Sequence, residues 1–208
     1  MAELPRGTVT FLFTDIEGST RLWERDRAAM ASAVDRHLTL LDQAIDSHNG
    51  VHFKTVGDAV QAAFPTAPNA VAAALAAQRA LLREDWGTSD PLRVRMALHA
   101  GEAIPDERDD YLAAPLNRLA RLLTIGHGGQ VLLSQAIQQL VRDNLPADAG
   151  LRDLGGHRLQ DLLEPEQIFQ LLHPDLPADF PPLRSLGAWP NNLPLQPTPF
   201  LGREDEVR

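Results

Sequence analysis

The spacing of apolar side chains divides the chain into predicted strands and helices. Alternating apolar and polar positions predict strands, whereas apolar positions three, four or seven apart predict helices. In chain order these patterns predict a strand over residues 8–14, one long helix over 19–47, a hairpin of strands 51–55 and 59–64, a helix over 68–84, a strand over 92–99, a helix over 112–124, a strand over 130–133, a helix capped by Ser134 that ends near residue 141, and late strands over 151–162 and 168–172.

The order of these elements is β-α-β-β-α-β with additions at the end. It predicts an α+β protein with a ferredoxin-like βαββαβ central sheet, helices on one side of the sheet and C-terminal strand additions. From Pro174 onward the sequence is rich in proline and has few periodic apolar positions. We therefore predict one domain over residues 1–173 and a Pro-rich linker over 174–208.

Composition narrows the possible partners. The formal net charge of −9 argues against a broad nucleic-acid-binding surface, and the absence of cysteine excludes disulfides and thiolate metal sites. No apolar stretch reaches the length of a membrane span, so a soluble cytoplasmic protein without a membrane contact is expected. The chain has a single lysine, Lys54, which is a candidate for a place where a compact ammonium group fits better than a guanidinium, although one lysine can also remain by chance.

Two aspartates are candidates for a metal site. Asp15 follows the first predicted strand and precedes Gly18 at a helix start, where backbone N–H groups face outward; Asp58 lies in the tight hairpin after Gly57. Each aspartate alone is more commonly a helix cap or a turn residue. In the predicted sheet, however, the first strand and the hairpin are neighbours. Both carboxylates can then meet at one end of the sheet, where they would suit Mg²⁺ bound to a triphosphate.

The predicted helix over residues 112–124 carries a polar pair. Asn117 and Arg121 are four residues apart and therefore share one face, beside the apolar positions that face the core. A solvated face is the commoner explanation for such a pair, and Asp110, just before the helix, could be a cap. Four of the histidines, His48, His52, His99 and His127, have no ligand spacing on a common helix, so no zinc site is predicted.

Together these segments resemble the class III adenylate/guanylate cyclase family over roughly residues 7–173. The sequence FTDIEGST at residues 13–20 resembles the first metal motif of the family, and KTVGD at 54–58 resembles its base-reading lysine followed by the second metal aspartate. The resemblance implies that Asp15 and Asp58 hold two ions of Mg²⁺ or Mn²⁺ per site. It also implies that Lys54 and Asp110 read the base.

The same resemblance implies that Asn117 orients the ribose, that Arg121 stabilises charge in the transition state, and that each site draws residues from both subunits of a homodimer. The expected reaction is attack of the ribose 3′-oxygen on the α-phosphorus, with loss of pyrophosphate, which makes the protein a phosphorus–oxygen lyase. A lysine donor and an aspartate acceptor suit N1 and the 6-amino group of adenine, so ATP is expected rather than GTP.

Two departures from the family pattern and two other readings stay open. The family usually has glycine where Ala113 stands, and often where Ala97 stands. The chain could be a nucleotide-binding or dimerisation module without turnover. It could also be a dinucleotide cyclase, although the hairpin of that family differs from the one around Gly57 and Asp58. Residues 200–206, FLGREDE, resemble the start of an ATPase module, which predicts a longer signalling protein with further regulatory domains.

Overall fold

A computed structural model of the chain describes residues 3–88, 90–162 and 164–185, which form a seven-stranded sheet with five helices. In spatial order the strands are β2 (Val51–Val56), β3 (Ala59–Phe64), β1 (Gly7–Ile16), β4 (Val94–Ala103), β5 (Val131–Ser134), β7 (Glu166–Leu172) and β6 (Gly150–His157). The helices are α1 (Ser19–Arg25), α2 (Arg27–Asp46), α3 (Ala67–Arg83), α4 (Ala114–Ile125) and α5 (Gln135–Val141).

The central strand β1 buries both of its faces. It pairs antiparallel with β3 and β4, and its alternate residues point to opposite sides of the sheet. On one side Leu12 and Ile16 join apolar residues of α1, α2, α3 and α5 in a single core cluster. The predicted α+β class, the ferredoxin-like order, the C-terminal strands and the packing of helices on one side of the sheet, here α1, α2, α3 and α5, are thus confirmed.

Helix α4 packs against the other face of the sheet. Its buried Leu119 and Leu122 belong to a second cluster that contains Val9 and Phe11 of β1. Because adjacent residues of β1 face opposite sides, this second cluster lies across the sheet from the first. The apolar pattern of α4 indicates that one face of the helix is buried, but not against which side of the sheet.

The single long helix predicted over residues 19–47 is wrong, because the chain breaks it at Asp26. This residue is extended, with φ −148° and ψ 95°, and its side chain accepts a hydrogen bond from the N–H of Ala29. Asp26 therefore caps the start of α2. Trp23 and Met30 keep helical spacing across the break, which explains why the pattern reads as continuous.

Other element boundaries also differ from the predictions. Strand β1 continues to Ile16, so Asp15 lies within the strand and not beyond its end. Helix α4 begins at Ala114. The late strand predicted over residues 151–162 ends at His157, and residues 158–162 form a loop that leads towards β7.

Ser134 does not cap α5 with its side chain. It occupies the cap position, but its hydroxyl instead hydrogen-bonds with Nδ1 of His99 on β4, at 2.8 Å. Both residues are buried. The hydroxyl therefore satisfies a polar atom of the core rather than a free N–H of the helix.

We expect His99 to make stability depend on pH. Burial, aided by the positive charge of Arg118, lowers the pKa of His99 from 6.5 to about 4. The unfolded chain binds this proton near pH 6.5 and the folded chain only near pH 4, so stability is lost as the pH falls between these values, by up to about 3 kcal/mol. In urea unfolding from pH 7 to 4.5, His99→Gln should lose clearly less stability than the wild type. Equal losses would contradict this assignment.

The segment that follows β7 packs against the domain. Residues 174–185, called here the C-terminal strap, contain no helix or strand, in keeping with their proline content. Leu176 is buried in the first core cluster and Leu183 in the second. The predicted domain boundary at residue 173 stays a prediction, and the predicted linker beyond residue 185, with the ATPase-like residues 200–206, lies outside the described residues.

Among the helices of this described part of the chain, none combines the length and the apolar character that a membrane crossing requires.

Candidate functional site

The hairpin between β2 and β3 brings Asp58 to the end of β1. Its Oδ2 accepts a hydrogen bond of 3.1 Å from the N–H of Ile16, the peptide group that directly follows Asp15. Gly57 makes this turn with φ +65°, a conformation that favours glycine. The two aspartates singled out from the sequence therefore lie at one end of the sheet, as expected.

Asp15 has a cationic neighbour that the sequence motifs do not reveal. It pairs in register with Arg95 on β4, whose Nε and Nη2 donate to Asp15 Oδ2 at 2.8 and 2.5 Å. Both side chains are only about a quarter exposed or less, at 24% and 21%. Arg95 thereby neutralises part of the carboxylate charge. Its alternation with apolar residues on β4 is visible in the sequence, but its partner is visible only from the strand register.

A buried histidine lies beneath the hairpin. His37 on α2 is fully buried, its Nε2 is 3.2 Å from the carbonyl oxygen of Asp58, and its Nδ1 has no partner among the described residues. Burial lowers the pKa of His37, although the Asp58 carbonyl and the charges of Asp58 and Asp15 act in the opposite direction. The neutral ring thus holds the hairpin from the core side. The sequence analysis missed this residue, since one histidine on a helix has no distinctive spacing.

The two carboxylates fit a divalent cation that shares its coordination with a nucleotide. Asp15 Oδ1 and Asp58 Oδ1 accept no hydrogen bond from the described residues. No group of three or more His, Asp or Glu side chains in that part of the chain could hold a metal ion by itself. Mg²⁺ is commonly bound by one or two carboxylates together with substrate phosphates and water, and this donor set matches that pattern.

Lys54 and Asp110 form an ion pair at the edge of the sheet. Lys54 lies on β2 and Asp110 in the loop before α4, and the lysine ammonium donates to Asp110 Oδ2. Their neighbours in the chain hold the two segments together: Phe53, before Lys54, and Tyr111, after Asp110, pack edge to face with ring centroids 5.1 Å apart. Tyr111 is also buried against Phe11 of β1. These contacts fix the loop against the sheet. Lys54 on β2 and Asp110 in the loop together present a hydrogen-bond donor beside an acceptor to solvent.

Asn117 and Arg121 project from α4 beside this loop. Asn117 is exposed, and Arg121 Nη2 donates to Asp161 Oδ2 at 2.7 Å, in the loop between β6 and β7. Within the described residues no hydrogen bond or ion pair connects Lys54, Asp110, Asn117 or Arg121 to the two metal candidates Asp15 and Asp58. By these contacts, the pair of Lys54 and Asp110 and the pair of Arg121 and Asp161 are both separate from the two metal candidates.

The two alanines that replace family glycines fit their surroundings. Ala113 precedes α4 with φ −137° and ψ 147°, an extended conformation that any residue adopts. Ala97 is fully buried in β4, paired with Phe13 and Leu132. Neither methyl group forces backbone strain, so the conformational freedom of glycine is not required at either position.

Comparison with known proteins gives one family and several relatives. The sequence model described as the adenylate and guanylate cyclase catalytic domain matches residues 1–151. An uncharacterised protein of Mycobacterium tuberculosis is 44% identical over 207 residues, covering 98% of this chain and 70% of its own. An adenylate cyclase of Lachancea kluyveri is 34% identical over 154 residues, which cover 62% of this chain and 8% of that one.

A solved structure of adenylate cyclases from Trypanosoma brucei, described in their monomeric state, superimposes with a TM-score of 0.77. The sequences are 28% identical, and the match covers 88% of this chain and 97% of that one.

Proposed function

The chain belongs to the family of adenylate and guanylate cyclase catalytic domains, and we propose that it is an adenylate cyclase that converts ATP to 3′,5′-cyclic AMP and pyrophosphate. The observation that carries the choice of ATP is the ion pair of Lys54 and Asp110. It sets one hydrogen-bond donor beside one acceptor on a fixed loop and strand. Adenine offers the complementary pair, an unprotonated N1 and a 6-amino group.

Guanine would fit this pair poorly. It presents N1–H and O6 at the same positions, so donor would face donor and acceptor would face acceptor. Each unpaired buried polar group costs on the order of 1–3 kcal/mol, and both groups would be unpaired at once. The adenylate cyclase named among the relatives and the one among the solved structures support the same substrate.

Asp15 and Asp58 hold the metal ions in this proposal. When bound, Mg²⁺ or Mn²⁺ would lower the pKa of the ribose 3′-hydroxyl and offset the charge of the phosphates. The hydrogen bond from the Ile16 N–H to Asp58 and the guanidinium of Arg95 beside Asp15 orient the two carboxylates. Their Oδ1 atoms, which accept no hydrogen bond from the described residues, would hold the ions.

Asn117 and Arg121 complete the site from a second copy of the chain. Within the described residues of one chain, neither residue makes a hydrogen bond or ion pair with Asp15 or Asp58. A symmetric dimer would bring Asn117 and Arg121 of each chain to the two aspartates of the other chain, at two equivalent sites. Asn117 would orient the ribose. Arg121 would bring its positive charge beside the α-phosphate and so stabilise the pentavalent transition state. For this, Arg121 leaves Asp161, a partner whose side chain is 65% exposed and whose ion pair is therefore weak.

We expect the purified protein to prefer ATP to GTP. With Mn²⁺ or Mg²⁺, kcat/KM for ATP should exceed that for GTP by at least about 30-fold, because two mismatched hydrogen bonds together cost at least about 2 kcal/mol. Product identification by mass spectrometry separates the two cyclic nucleotides. Lys54→Met should reduce the preference, whereas Arg142→Met, an exposed residue at the end of α5, should not. A preference for GTP would contradict the assignment of the base, and nucleotide binding without product would favour the non-catalytic module.

A further inference from the structure

The turn between β1 and α1 is held by a carboxylate that the proposed mechanism does not use. Glu17 lies two residues after Asp15 and directly before Gly18. Its backbone N–H donates to the carbonyl of Arg93 at 2.9 Å, and its Oε2 accepts the N–H of Gly128 at 3.0 Å. Its other oxygen, Oε1, accepts from Nη2 of Arg184 at 2.5 Å. Three segments that are distant in the sequence thus meet at Glu17, the residue that follows strand β1 and its Asp15.

Arg184 reaches this turn from the C-terminal strap, 167 residues away along the chain. The strap holds it on both sides: Leu183 is buried in the second core cluster, and Ser185 is buried with its hydroxyl 2.8 Å from Nδ1 of His157. The backbone N–H of Arg184 also donates to the carbonyl of Ile125 at 3.0 Å. The strap therefore fixes where this guanidinium can point.

The glycine-rich turn before β5 contributes the third contact. A side chain at Gly128 would place its Cβ 2.9 Å from Glu17 Oε2 and 2.5 Å from Arg93 Cβ, closer than carbon atoms normally approach. Only glycine lets the backbone N–H come this near to the carboxylate. The turn at residues 126–129 thus does more than connect α4 to β5, because it also binds Glu17.

We propose that Glu17 and Arg184 are positioning residues for the metal site, and that the strap, through this ion pair, fixes the turn that orients Asp15. The inference rests on the proposed function, since it assigns Asp15 to a metal. The Arg184 side chain is 51% exposed, so the ion pair adds little to global stability. Its effect is therefore on the geometry of the turn, and a displacement of Arg184 would reach Asp15 through Glu17.

The test compares two arginines, of which only one contacts Glu17. Arg184→Gln removes the contact with Glu17. Arg152→Gln is the matched control, because Arg152 binds the same strap through the carbonyl of Ala178 and through Asp179, but does not reach the turn. Mn²⁺ binding is measured directly by electron paramagnetic resonance on the 208-residue chain, with a non-hydrolysable ATP analogue present. Thermal unfolding and the Mn²⁺ dependence of turnover are measured in parallel.

We expect Arg184→Gln to raise the Kd for Mn²⁺ on the order of tenfold, as for other residues that orient metal ligands, with little change in Tm. Arg152→Gln should leave this Kd unchanged, and Arg184→Lys should recover most of the loss. Glu17→Gln should act like Arg184→Gln, and it serves as the second variant if the first does not fold. An unchanged Kd in Arg184→Gln, or an equal rise in both strap variants, would overturn the proposal.

The outcomes also separate the inference from the proposed function. A wild-type chain that binds Mn²⁺ and the analogue but makes no cyclic AMP contradicts the proposed activity, while a tenfold difference in Kd still supports the positioning role. A wild-type chain that binds no Mn²⁺ overturns both.

Discussion

Replacing Asp58 by alanine is expected to abolish cyclic AMP formation while the fold persists. In our proposal Asp58 is one of only two carboxylates that hold the metal ions, and the described residues contain no group of three or more His, Asp or Glu side chains that could hold a metal ion. Loss of one ligand from so small a set removes the charge that binds the ions and the triphosphate. We expect a fall in kcat/KM of at least about a thousandfold, the scale of losing a principal electrostatic group.

The structure also predicts the cost to stability. Asp58→Ala removes one hydrogen bond to the Ile16 N–H, a loss on the order of 1–3 kcal/mol that a folded domain can tolerate. Asp15→Ala should be equally inactive but less stable, because it leaves the half-buried Arg95 without its partner.

Asp143→Ala is the control, because it also removes one negative charge but at a side chain that is 80% exposed and outside the proposed site. Initial rates of cyclic AMP formation measure the activity of each variant, and circular dichroism with thermal unfolding shows whether it is folded. Normal turnover in folded Asp58→Ala would refute the metal assignment.

Much of the fold could be predicted from local patterns. The alternation in β1 and the helical spacing in α3 and α4 follow from the side chains of a few consecutive residues. The break at Asp26 could not be predicted in the same way, because Trp23 and Met30 keep the spacing of one continuous helix. Likewise, α4 shows a buried stripe, but which face of the sheet it covers depends on how the whole chain is connected.

The residues of the candidate site also differ in how far local sequence patterns could predict them. Short motifs place Lys54 and Asp58 four residues apart, and they predict the pair Asn117 and Arg121 from helical spacing; what these residues do stays a prediction. Arg95 was missed because its partner Asp15 is 80 residues away and is found only through strand register. The contact of Arg184 with Glu17 was missed for the same reason.

The arrangement of the site between two chains can be tested by mixing two inactive variants. Lys54 and Asp58 lie on the same hairpin, yet the account assigns them to opposite sites of the dimer. Asp58→Ala lacks a metal ligand in both of its sites, and Asn117→Ala lacks the ribose contact in both. The side chain of Asn117 is exposed and makes no hydrogen bond within the described residues, so its loss should leave the fold intact.

In a mixed dimer one site collects both substitutions and the other collects none. With equal amounts and random pairing, about half of the dimers are mixed and each has one intact site. The mixture should therefore regain roughly a quarter of wild-type activity. Mixing Asp58→Ala with Asp15→Ala is the matched control: both variants lack a metal ligand from the same group, so every site in the mixed dimer is defective and no activity should return.

The rate of cyclic AMP formation by the mixture of Asp58→Ala and Asn117→Ala chains is the measurement that tests the central claim most directly. Both parents must first be shown to be folded, inactive alone and able to exchange subunits. Our account predicts recovery of about a quarter of the wild-type rate. A mixture that stays inactive, while the wild type is active, would place each site within a single chain and contradict the account.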